Sequence, residues 1–104
     1  MDEIVAAKQN ELEMLCARHR VRRMALFGSA ATSGFDPERS DLDFVVEFET
    51  MPPKEQADGY FGLLEDLEQL FEGKRIDLIE YEPIRNPYFL RELDKTQVVL
   101  YEAA

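Results

Sequence analysis

Apolar side chains recur at helical spacing through residues 3–19. Ile4, Val5, Leu12, Leu15, Cys16 and His19 fall on one stripe, with Lys8, Glu11, Glu13 and Arg18 between them. The spacing predicts an amphipathic helix with Cys16 as a small core residue. His19 lies near its C-terminal end, as a cap or a core-edge contact. Residues 21–27, Val-Arg-Arg-Met-Ala-Leu-Phe, read as a strand. Its second half is apolar on both faces, as expected of a strand covered on one side and lining a site on the other. Gly28-Ser29 follow at once, and residues 30–40, with Gly34, Asp36, Pro37 and Ser40, hold a turn or loop with room for a short helical turn near Ser29.

Residues 41–48 alternate cleanly. Leu42, Phe44, Val46 and Phe48 share one face, and Asp41, Asp43, Val45 and Glu47 the other. Pro52-Pro53 break the chain, and residues 55–71 carry Tyr60, Leu63, Leu64, Leu67, Leu70 and Phe71 at the spacing of a strong amphipathic helix, with Gly73 placed to end it. Residues 75–81 form a third strand with Ile76 and Leu78 facing one way and Arg75, Asp77 and Ile79 the other. Asn86-Pro87 open a short helix through about Leu93, and Val98 to Tyr101 close with a short strand or extended tail. The order α-β-(turn)-β-α-β-α-β describes a mixed α/β (α+β) fold, a small mixed β-sheet with helices packed on one face.

Composition narrows the classes of function. A chain of 104 residues, 45% of them hydrophobic, is expected to form a single domain over residues 1–104. No apolar run approaches the roughly 20 residues of a membrane span. The acidic start, Met1-Asp2-Glu3, lacks the basic and apolar blocks of a secretory leader, so a cytoplasmic protein is expected. A single cysteine and a single histidine exclude an internal disulfide, a multi-cysteine metal site and a His-rich zinc centre. The net charge of −10 argues against the basic face of a duplex-binding protein. It is compatible with nucleotide chemistry, because divalent cations invert the local charge at a carboxylate cluster.

Asp41 and Asp43 are two apart on a strand, so both side chains leave the same face with their Cα atoms about 6.5–7 Å apart. Carboxylates so placed repel unless a cation lies between them, and Mg²⁺ suits a site with few carboxylates plus water and phosphate. If the third strand pairs in the same sheet, Asp77 joins that face, and three carboxylates there would hold two metals roughly 3.5–4 Å apart, the clamp of a phosphoryl displacement. With 22 acidic residues, an acidic-x-acidic pair is expected roughly four or five times by chance. The specificity comes from the apolar opposite face of that strand, from Asp77 in mid-strand, and from Gly28-Ser29 immediately after an apolar strand. There glycine allows close backbone approach, and a helix start would aim N–H groups and the Ser29 hydroxyl at an anion. Arg75, on the face of Asp77, either pairs with it or also touches nucleotide phosphates.

Leu26-Phe27-Gly28-Ser29, Ser40-Asp41-Leu42-Asp43-Phe44-Val45-Val46 and Arg75-Ile76-Asp77-Leu78-Ile79 together resemble the polymerase-β nucleotidyltransferase superfamily, in particular its minimal nucleotidyltransferases. Asn86-Pro87-Tyr88-Phe89 through Val99-Leu100-Tyr101 is similar to the ends of those small proteins. The resemblance implies a nucleotidyltransferase-like fold and an adenylyltransferase using ATP and Mg²⁺. It also implies a HEPN-domain RNase toxin as partner, with the protein as antitoxin and AMP passing to a toxin tyrosine. Gly28 and Ser29 would hold the triphosphate, Asp41 and Asp43 the metals, and Asp77 a metal and the attacking hydroxyl. Two features depart from the family pattern: Thr32 stands where an arginine is common, and the spacer from Ser29 to Asp41 is one residue longer than usual. A non-catalytic antitoxin that masks its toxin, and a small-molecule nucleotidyltransferase, are the competing readings.

Overall fold

The computed structural model describes residues 3–27, 41–81 and 97–103. Gly28, Ser29, the loop at 30–40 and the helix expected from Asn86 to Leu93 lie outside the described residues.

The N-terminal apolar stripe forms two helical segments instead of one, α1 (Glu3–Ala6) and α2 (Gln9–Arg18). The break is a local exchange of hydrogen bonds. Lys8 N–H donates to Val5 O at 3.0 Å, a tightened closure, and Lys8 O then accepts from Leu12 N–H at 2.9 Å to start the second segment. The stripe survives it, because Val5, Leu12 and Cys16 are all fully buried. Ile4, by contrast, is 40% exposed and leaves the stripe.

Strands β1 (Val21–Phe27) and β2 (Asp41–Phe48) pair antiparallel. Helix α3 (Pro53–Leu70) crosses from β2 to β3 (Arg75–Glu80), which pairs parallel to β2. A parallel pair needs such a crossover. The last strand, β4 (Val98–Glu102), pairs antiparallel to β1, so the sheet order is β3-β2-β1-β4. Helix α3 begins two residues before the expected start because Pro53 occupies its first turn, where a missing N–H costs nothing. It ends before Gly73, whose φ of +86° is the left-handed turn the sequence reserves for glycine.

One face of the sheet carries Met24, Leu26, Leu42, Phe44, Val46, Phe48 and Leu78. These residues form one core cluster with Val5, Leu12 and Cys16 of the N-terminal segments and Leu63 and Leu67 of α3. The helices therefore lie on that face. His19, the residue that ends α2, bridges to α3 with its Nε2 2.7 Å from Asp66 Oδ2, a core-edge contact as expected. A Cβ built at Gly62 would meet His19 Cε1 at 2.8 Å, so the glycine lets the imidazole lie against α3. Among the described residues no helix is long and apolar enough to cross a membrane.

Candidate active site

The face of the sheet opposite the helices carries the acidic residues. Backbone register decides who meets whom there: Phe27 of β1 pairs with Asp43 of β2, and Asp43 pairs with Asp77 of β3. Residues paired across adjacent strands point to the same side, so one row across the sheet reads Phe27, Asp43, Asp77. Ala25 and Val45, one row further in, are buried, so β1 and β2 are apolar on this side as well as on the core side.

The side chains of Asp43 and Asp77 lie within reach of a hydrogen bond to each other. Burial, that bond and the charges of Asp77 and Asp41 together push the Asp43 carboxyl up to about 6. Asp41 stands two residues back along the same face, exposed, opposite Arg75 and not Asp77. The register thus brings two of the three expected carboxylates together and leaves Asp41 beside them. Among the described residues no group of three His, Cys, Asp or Glu side chains is gathered around one point. Arg75 Nε lies 3.9 Å from Asp77 Oδ1, as strand alternation predicts. With the two side chains 73% and 43% exposed, the pair contributes little to stability.

A cleft of about 420 Å³ opens at this point, lined by Phe27, Asp43, Tyr60, Ile76, Asp77 and Ile79 among others. Tyr60 belongs to α3 and reached the sequence reading only as a core position. Its ring lines the cleft, and its hydroxyl donates to Leu78 O at 2.7 Å. A tyrosine on an apolar stripe must find a partner for its hydroxyl, and that was the available signal. Burial, then the charges of Glu80 and Asp77, raise the Tyr60 hydroxyl above its ordinary value, so it remains a donor. Cys16 is no nucleophile: it is buried 3.7 Å from the Met24 sulfur, and burial with the nearby Glu13 pushes its thiol up to about 12.

The raised Asp43 value sets a pH dependence. The folded protein holds the Asp43 proton up to about pH 6, whereas an unperturbed aspartate releases it near 3.8. Asp43 therefore contributes stability that is present below the lower value and is lost as pH rises through the upper one. In metal-free protein, the stability of wild type relative to Asp43→Asn is expected to fall between pH 4 and pH 7. Urea unfolding at several pH values checks this, and a flat difference would contradict the raised value.

Residues 10–99 match the family model described as Nucleotidyltransferase domain. A protein of Methanocaldococcus jannaschii named "Putative protein adenylyltransferase MJ1379" is 33% identical over 95 residues, covering 91% of this chain and 92% of that one. A solved structure described as "Structure of putative minimal nucleotidyltransferase" superposes with a TM-score of 0.65 at 32% identity, covering 94% of this chain and 95% of the other. A crystal structure of a toxin-antitoxin with AMP-PNP has the same fold, with a TM-score of 0.67 at 17% identity over 91% of this chain and 73% of that one. The paired aspartates thus stand on a sheet that others share, in a sequence that matches over most of its length, and the chain belongs to the nucleotidyltransferase family.

Proposed function

We propose that the protein transfers AMP from ATP to a hydroxyl of a partner toxin of the HEPN type and so acts as the antitoxin of the pair. The observation that carries this reading is the register that sets Asp43 against Asp77 at an open cleft. A protein acceptor accords with the name of the Methanocaldococcus jannaschii relative, and a toxin partner and an adenine nucleotide accord with the structural neighbour.

The residues fit a divalent cation. The donors are all carboxylate oxygens on one face; burial first, then the neighbouring Asp77 and Asp41, raise the Asp43 carboxyl, and positive charge relieves that repulsion. Asp41, Asp43 and Asp77 are the residues that would hold Mg²⁺, as one or two ions. A bound Mg²⁺ would supply positive charge against the developing charge of the displacement. The protein's own part is positioning. Gly28 and Ser29 hold the triphosphate, and Arg75 reaches its phosphates from the rim. Phe27 and Ile79 give the cleft apolar walls. Asp77 orients the acceptor hydroxyl, whose oxygen bonds to the α-phosphorus as the bond to pyrophosphate breaks and the hydroxyl proton is released.

Incubating the protein with labelled ATP, Mg²⁺ and the product of the adjacent gene tests the reading. The expected result is a covalent adduct of AMP mass on a hydroxyl of the partner, formed with catalytic amounts of this protein. A partner that is inactive, tightly bound and unmodified would refute transfer and leave masking.

A further inference from the structure

We propose that Tyr60 is a positioning residue of the transfer site: its hydroxyl latches the edge strand β3 at Leu78 and so holds Asp77 opposite Asp43. The inference rests on the metal-dependent reading above.

Among the described residues, strand β3 ends the sheet order and is paired to β2 alone. Parallel pairing is slightly the weaker kind. This strand supplies Asp77, which is paired with Asp43 across the sheet, with Asp41 two residues from Asp43 on the same face. Like charges placed on an edge strand push it away from its neighbour. The counterforce comes from α3. Tyr81 N–H donates to Val46 O, so by strand alternation the Leu78 carbonyl points away from β2. The Tyr60 hydroxyl donates to that carbonyl at 2.7 Å.

A second contact repeats the pattern. Gln56 Nε2 donates to Glu80 Oε2 at 3.2 Å. Four residues back along the helix and two residues on along the strand span about 6 Å and about 6.6 Å, so the two contacts are matched in spacing. They tie one edge of α3 to the side of β3 away from β2. Leu78 directly follows Asp77 in the chain, and Tyr60 lines the same cleft as Asp43 and Asp77. The latch therefore acts at the residue where displacement would separate the carboxylates.

Tyr60→Phe keeps the ring in the cleft and removes only the hydroxyl. Its expected effects are Mn²⁺ binding weakened roughly 3- to 10-fold, the loss of about one hydrogen bond, and faster amide exchange confined to β3. Binding is read directly from the electron paramagnetic resonance of free Mn²⁺, well below the unfolding temperature. Val5→Ala, a fully buried position on α1, serves as the control: it lowers stability and should leave Mn²⁺ binding at the wild-type value. Equal Mn²⁺ affinity in wild type and Tyr60→Phe would overturn the latch, as would equal weakening by Val5→Ala. A wild-type protein that binds no Mn²⁺ would overturn the parent reading and this inference with it, and is told apart because wild type itself then fails.

Discussion

On the proposed function, the Asp41→Asn/Asp43→Asn variant is expected to fold and to lose AMP transfer by roughly 10³-fold or more, since removing charge stabilisation worth several kcal/mol costs a factor of ten per 1.4 kcal/mol. The physical reason is the concentration of negative charge at the start of β2. Asp43 is already pushed toward protonation by burial and by its neighbours, and a cation would favour its ionised form there. Two measurements separate this from simple damage. Mg²⁺ or Mn²⁺ with nucleotide should raise the melting temperature of wild type. At a ligand concentration about 100-fold above Kd the stabilisation is about 2.7 kcal/mol. The variant should show no such shift, and without metal should be as stable as wild type or more so, because the repulsion is gone. An equal shift in both proteins would remove the carboxylates from the metal site. In cells the variant should fail to protect against the toxin; protection near the wild-type level would favour masking over transfer.

Phe44→Ala should be the most damaging single change to the fold, at about 3–5 kcal/mol. Phe44 is fully buried, and its ring stacks on Phe71 with centroids 5.9 Å apart and an interplanar angle of 29°. It joins β2, paired on both sides, to the end of α3. Domains of this size have total stabilities of about 5–15 kcal/mol, so the variant should populate unfolded chain at modest urea concentrations. Its neighbours in sequence are Asp43 and Val45, and the site should be lost with the strand. A loss under about 1.5 kcal/mol by urea titration would mean that the core closes over the missing ring.

Much of this architecture was legible from spacing. The period-2 alternation of residues 41–48 assigned every side chain of β2 to its face, and that of 75–79 did the same for those residues of β3. Tyr60, Leu63, Leu64, Leu67, Leu70 and Phe71 marked the crossover helix, and Gly73 its end. Cys16 and His19 took the packing roles their positions indicated. The two-segment form of the first helix was hidden, because the hydrogen-bond exchange at Lys8 leaves the apolar stripe unchanged.

Within the described residues, the sequence by itself determined the element types, the buried face of β2 and the identity of the acidic face, because these follow from local periodicity and from water's exclusion of apolar side chains. Tertiary structure alone decided which aspartates meet. Strand β3 could have paired elsewhere or slipped by one residue, and a one-residue slip would carry Asp77 to the core side. Its parallel register on β2 is set by the shared burial of Ile76 and Leu78 with Leu42 and Phe44, a non-local condition that no spacing within either strand encodes. That register put Asp77 opposite Asp43, left Asp41 opposite Arg75, and turned the Leu78 carbonyl outward to the hydroxyl of Tyr60.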